Sequence, residues 1–138
     1  LREPSAAGGE GSAEGAHGYQ RQDNARSGQR LAQNGMWEGQ QVVPANWVTQ
    51  STAPSANTTP GEIGYGYQWW IPAGSEPGQF LARGIYGQYI YVDQTRNVVI
   101  ATHGADRNFR DAGVSDQTIA MFRAIAESPP CYGKRPAI

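Results

Sequence analysis

The sequence predicts an α+β fold, and three observations carry that reading. Residues 63–103 hold aromatic and β-branched segments separated by Pro, Gly, Asp and Asn, the pattern of short strands joined by turns. Residues 115–127 carry apolar side chains at helical spacing. Helix-like segments precede the strands, so helices and strands are segregated along the chain rather than alternating.

Residues 20–34 read as a helix. Ala25, Leu31 and Ala32 give it an apolar stripe, and Asn34-Gly35 is a stop signal. Ser27 and Gly28 are poor helix formers within it. Residues 37–43 (W-E-G-Q-Q-V-V) read as a loop leading to Pro44. Pro44 suits the first turn of a short helix, where its missing N–H would be unpaired anyway. That helix runs to Gln50 and is expected to bury Trp47 and Val48. Residues 51–62, rich in Ser, Thr, Pro and Asn, are a loop. Residues 63–71 (I-G-Y-G-Y-Q-W-W-I) read as one strand and 72–78 as a turn. Strands follow at 79–86, 88–92 and 97–103, the last two joined by a hairpin over Asp93–Asn97. Val98–Ala101 is continuously apolar, as in a strand covered on both faces. The final helix, 115–127, has Ser115 as its expected N-cap. Ile119, Met121, Phe122, Ile125 and Ala126 form its expected apolar face.

The 138 residues fit one domain. Residues 1–19 are a glycine-rich stretch with little apolar surface to offset ordering entropy, read as a flexible lead-in. Residues 20–127 form the body, and 128–138, with three prolines, form a tail. Net charge is −1, from 11 basic and 12 acidic residues. No cationic excess is present to neutralise phosphates, so no nucleic-acid partner is expected. No apolar run approaches the ~20 residues that span a bilayer, so no membrane partner is expected either. The histidines, His17 and His103, are far apart and Cys131 is the single cysteine. That combination gives no metal-ligand spacing and no internal disulfide, and no cofactor is expected.

Hydrolytic signatures are also missing. No serine lies in G-x-S-x-G. Lys134 is the single lysine and the residue three before it is Cys131, so S-x-x-K is absent. None of the 7 tyrosines has Asn two positions on.

Two blocks nevertheless stand out: R-Q-D-N-A-R-S-G-Q-R-L-A-Q-N-G-M-W-E-G-Q-Q-V-V-P-A-N-W-V at 21–48, and G-Y-G-Y-Q-W-W at 64–70 followed by F-L-A-R-G-I-Y-G-Q-Y-I-Y-V-D at 80–93. In this order and spacing they resemble the C-terminal third of the β-lactamase-related serine hydrolases, within them the 6-aminohexanoate-dimer hydrolase and class C esterase branch. The resemblance covers roughly residues 20–127, and G-I-Y-G-Q-Y-I-Y-V-D is its most specific part. It implies the C-terminal part of a β-lactamase/transpeptidase-like fold, an antiparallel sheet with flanking helices. The first strands, the S-x-x-K nucleophile and most of a helical domain would lie in an N-terminal half absent from this sequence. It also implies a parent that cleaves a small amide or ester through an acyl-enzyme.

By the same resemblance, Ala82-Arg83-Gly84 matches the K-T-G or H-T-G triplet of the family. The Ile85 backbone N–H would then be an oxyanion donor beside Gly84, with Ala82, Arg83, Tyr86 and Gln88 bordering the substrate. Ala82 stands where the family usually places a cation or imidazole, which argues against a β-lactam substrate. Ser27 stands where the family tends to place an aromatic residue. A sheet edge left uncovered by the absent strands would invite association.

Other residues carry plainer readings. Tyr65, Tyr67, Trp69 and Trp70 fit a sheet face or core better than a binding stripe. His103 fits a structural role, and Tyr86 by alternation fits a core face as well as a cleft. The alternative function is a non-catalytic module, in which the aromatic stretch at 65–70 and Tyr86, Tyr89 and Tyr91 stack on a ligand. Tyr89 and Tyr91 share one strand face at period two.

Overall fold

The computed structural model describes residues 13–56, 59 and 61–128, with side chains from residue 21 onward. Most of the expected lead-in and all of the tail beyond Ser128 lie outside the described residues. The first helix, α1 (Ala13–Ala32), starts seven residues earlier than its apolar stripe suggests. It stops where expected: Asn34 and Gly35 both adopt left-handed backbone, and the Gly35 N–H donates to Arg30 O at 2.7 Å. The expected loop at 37–43 contains a minimal hairpin, β1 (Met36–Trp37) with β2 (Gln40–Gln41). The short helix α2 (Ala45–Ser51) follows, with Pro44 as its N-cap rather than in its first turn. Val48 is buried as expected, but Trp47 is not: its indole lies half exposed against Tyr67, because neighbouring residues of a helix point about 100° apart and Val48 takes the inward face.

The main sheet has five antiparallel strands in chain order: β3 (Gly64–Gly66), β4 (Trp69–Ile71), β5 (Gln79–Arg83), β6 (Tyr89–Asp93) and β7 (Val98–Thr102). The expected single strand at 63–71 is thus a hairpin. Tyr67 (φ 47°) and Gln68 (φ 74°) turn the chain in two residues, both left-handed as a type I′ turn requires. Outside β3, the amides of Ser55 and Ala56 both donate to Tyr65 O, so the 53–56 loop partly covers that edge. At the other end, β7 has β6 as its one strand neighbour among the described residues.

Strand alternation sorts the sheet residues onto two faces. Leu81, Tyr89 and Tyr91 point to one side and meet Ile119, Phe122 and Ala126 of α3 (Val114–Glu127), with Trp70, Val98 and Ile100 at the margin. Phe80 and Val92 point to the other side and meet Ala32 of α1, with Leu31, Trp69, Ile71, Ile90 and Val99 around them. The result is three layers, helix on sheet on helix. Full burial of Tyr91, Phe80, Phe122 and Leu81 contributes roughly 1.5–3 kcal/mol each. Val98–Thr102 is half-buried throughout, with α1 over Val99 and α3 beside Val98 and Ile100. On α3, Met121 and Ile125 are half exposed instead of inward, since Ile119, Phe122 and Ala126 already fill its sheet-facing stripe. Its N-cap is Gly113 in left-handed backbone, not Ser115.

Gly28, unfavourable in an isolated helix, has a packing reason. A Cβ there would sit 2.6 Å from Val99 Cγ1 and 3.0 Å from Ile90 Cγ2, so α1 lies on β6 and β7 at a distance that only glycine allows. At one end of the sheet, buried Asp93 accepts hydrogen bonds from Gln79 Nε2 (2.9 Å), the Arg96 amide (3.0 Å) and the Arg96 guanidinium (2.9 Å). Arg96 also reaches Glu76 at 3.0 Å, which joins the β4–β5 turn to the β6–β7 hairpin. Burial alone would raise the Asp93 pKa, but these donors outweigh it and hold the carboxyl below its ordinary value of 3.8.

Two outcomes follow. Gly28→Ala, which raises stability in an exposed helix, is expected to lower it here by about 1 kcal/mol in chemical denaturation, because the methyl must displace branched side chains. A gain would show that α1 is free to move off the sheet. Unfolded Asp93 binds a proton near its ordinary value and folded Asp93 only below it. Its stabilisation is therefore full above that range and is lost as pH falls through the lowered folded value. Melting scans at neutral and acid pH should show a smaller acid loss in Asp93→Asn than in the wild type. An identical loss would contradict the assignment.

Candidate functional site

The expected site residues sit where β5 leaves the sheet. Gly84 keeps the chain extended (φ −101°, ψ −177°), and its N–H donates to Gln88 O of the returning strand at 2.8 Å. Successive N–H groups of an extended chain point to opposite sides. The Ile85 N–H is therefore directed away from β6. At Ile85 the chain enters a turn, Ile85–Gln88, closed by the Gln88 N–H donating to Ile85 O at 3.4 Å, and the Ile85 N–H takes no part in that bond. Among the described residues, no backbone bond outside the regular elements uses this group. The strand end is open: Ile85 is 54% exposed and Tyr86 44%.

The expected strand therefore ends at Arg83, three residues short of its predicted end, and Tyr86 is not on a strand face. It holds left-handed backbone (φ 60°, ψ 24°) beside Gly87 (φ 84°). Tyr86 O accepts the Asp106 N–H at 3.2 Å, and the Thr102 hydroxyl donates to Gly87 O at 3.2 Å. Gly104 closes the contact, because a Cβ there would lie 2.6 Å from Tyr86 O. The loop after β7 is thus docked on the turn after β5.

The structure spreads the six expected residues over three hollows, with Arg83 also lining one of about 580 Å³ beside Ser115, Asp116, Ile119 and Arg123 of α3. Ala82, Arg83, Gly84 and Gln88, with Asn24 and Gln68, line a small one of about 220 Å³ on the α1 side. Ile85 and Tyr86 line a larger one of about 710 Å³ with the 104–110 loop. Gly84 has a local reason to be glycine, since a Cβ there would stand 3.0 Å from the Gln88 Cβ and 3.3 Å from its Oε1. Asn24, on α1, places its side-chain amide 3.1 Å from His103 Nε2 and ties the helix to the end of β7.

Of the stacking surface in the alternative reading, Tyr67 and Tyr86 are exposed and Tyr89 and Tyr91 are not. Tyr89 and Tyr91 share a face as expected, but that face is the core: they are 6% and 0% exposed and pack on Phe122. Tyr65 packs on Trp70, and Trp69 packs on Phe80. The 104–110 loop escaped sequence reasoning. Its one signal was an aromatic residue between cations, Arg107-Asn108-Phe109-Arg110. Among the described residues no group of three His, Asp or Glu side chains converges as a metal site, and no helix is long and apolar enough to cross a membrane.

The class this geometry defines is an α+β protein with part of a β-lactamase-like fold. The particular likeness is to a solved structure described as "Putative 6-aminohexanoate-dimer hydrolase from Bacillus anthracis". It is 30% identical, with a TM-score of 0.56, over 80% of this chain. The chain spans 30% of the length of that protein. No family model matches the sequence, and no curated protein matches it.

The backbone directions are open to measurement. In amide hydrogen exchange, Gly84 should be protected and Ile85 should exchange at close to the rate of an open chain. Equal protection at both positions would place a partner on the Ile85 N–H.

Proposed function

We propose that this chain is the C-terminal portion of a serine hydrolase of the β-lactamase-like kind, contributing the oxyanion-hole strand to a site whose nucleophile lies outside this sequence. The observation that carries the reading is the Ile85 N–H, directed outward from an open strand end. The fold around it is shared with a protein described as a 6-aminohexanoate-dimer hydrolase.

The chemistry follows from that donor. A serine hydroxyl adds to the carbonyl carbon of an amide or ester and gives up its proton to a neighbouring base. The π electrons of the carbonyl move onto its oxygen, and the Ile85 N–H stabilises that charge, a contribution of about 3–4 kcal/mol for one such donor. Collapse expels the amine or alcohol, which takes the proton, and leaves an acyl-enzyme. Water then releases the acid by the same route. Gly84 keeps the backbone extended up to the donor. Ala82, Arg83 and Gln88 border the substrate on one side of the strand end and Tyr86 on the other.

Fluorophosphonate labelling tests this reading. This chain alone should show no labelled serine and no saturable turnover of p-nitrophenyl acetate. Combined with the polypeptide encoded in frame upstream, it should support labelling of a serine in S-x-x-K. Ile85→Pro removes the N–H, and a thermal melt matching the wild type would show that the turn is kept. This variant should cut turnover by about 10²–10³. Saturable turnover by the chain alone would overturn the proposal.

A further inference from the structure

The small hollow of about 220 Å³ on the α1 side of the strand end is walled by side-chain amides. They come from three separate parts of the chain: Asn24 from α1, Gln68 from the β3–β4 turn and Gln88 from the approach to β6. Gln88 Oε1 lies 3.3 Å from the place a Gly84 Cβ would take, so its carboxamide reaches over the strand end. Little of their hydrogen-bonding capacity is used within the chain. Among the described residues, the glutamines whose side chains hydrogen-bond are Gln41, Gln79 and Gln94. Asn24 is anchored at one atom. Its Nδ2 lies 3.1 Å from His103 Nε2, and an amide nitrogen can only donate, so His103 is the acceptor and Asn24 Oδ1 is left to accept in turn. The hollow is also neutral. Among the described residues, no Asp, Glu or Lys lines it. Arg83 borders it, but alternation along β5 turns the Arg83 side chain with Leu81 to the α3 side, where Glu62 and Asp116 line the hollow it enters.

We infer that this small hollow binds an uncharged amide group, its N–H donating to Asn24 Oδ1 and its carbonyl accepting from the Gln68 and Gln88 side chains. A carboxamide carries a donor and an acceptor on one carbon, the same pair that an amide presents. An ester lacks the donor and a carboxylate lacks it too, so neither can satisfy both halves. Under the hydrolase reading, on which this use of the site rests, the substrate carries a second amide beside the scissile carbonyl. His103 is then a positioning residue that aims Asn24.

The test needs no nucleophile. The ¹⁵N-labelled chain is titrated with N-acetylglycine N-methylamide, with the matching diester methyl acetoxyacetate, and with acetoxyacetate anion. The diamide should give saturable amide shifts at residues 24, 68, 82–84 and 88, unchanged by added salt because the ligand is uncharged. The diester and the anion should bind less tightly. Asn24→Ala, Gln68→Ala and Gln88→Ala should each lower diamide affinity about fivefold. Gln68 and Gln88 are exposed, so thermal melts of their variants should match the wild type. His103→Leu should weaken binding as Asn24→Ala does, and His103→Gln, which keeps an acceptor, should restore it. The inference is overturned if the diester or the anion binds as tightly as the diamide, if no saturable shifts appear, or if the Gln68 and Gln88 variants bind as the wild type does. Diamide binding combined with failure of serine labelling would reject the hydrolase reading and keep the amide site. Serine labelling without diamide binding would do the opposite.

Discussion

The pairing of β5 with β6 is the constraint on which the rest of the molecule depends. Five residue pairs, from Gln79 opposite Asp93 to Arg83 opposite Tyr89, set the register. A slip of β5 by one residue would turn Phe80 toward α3 and Leu81 toward α1 while Val92 and Tyr91 of β6 kept their faces, so side chains would be exchanged between two cores of different shape. The register is closed at both ends. At one end the Asp93 carboxylate gathers Gln79 and Arg96. At the other, the Gly84 N–H meets Gln88 O. The second closure also aims the next N–H, that of Ile85, out of the sheet. The interaction that ends the ladder therefore orients the candidate donor.

Packing on the two faces extends the same logic. The α3 side is filled by aromatic residues, with Phe122 against both Tyr89 and Tyr91. The α1 side is approached so closely at Gly28 that backbone replaces side chain as the contact surface. That approach brings Asn24 near the Gly84 end of the sheet and near His103. The small hollow on this side is thus a product of helix placement as much as of the strand itself.

Much of this was legible from local pattern. The strands expected at 79–86 and 88–92 form at Gln79–Arg83 and Tyr89–Asp93, the Asp93–Asn97 turn and the Asn34-Gly35 stop are in place, and of the expected α3 face Ile119, Phe122 and Ala126 point inward; all are short-range signals. The misses have physical causes. The turn at Tyr67-Gln68 carries neither Gly nor Asn-Gly, so its left-handed backbone, costing of order 1 kcal/mol per residue, is imposed by pairing across the hairpin. Tyr86 left the strand because Gly87 and the 104–106 segment hold it there, a contact between segments far apart in sequence. Tyr89 and Tyr91 matched a stacking platform in spacing, yet burial beneath α3 could not be read from spacing. For the site, the residue types around Gly84 were legible through the G-I-Y-G-Q-Y block. The separation of Ile85 and Tyr86 from the others depended on the docked loop.

The functional account rests on complementarity between what the chain presents and what it lacks. It presents an outward N–H at an open strand end beside a small hollow lined by side-chain amides. Its sequence holds no S-x-x-K serine for that donor to serve. The most direct measurement is the coding sequence immediately upstream of the Leu1 codon in its source. The account predicts an in-frame S-x-x-K well before Gly84. A start codon close upstream, with no such motif between it and Leu1, would contradict it.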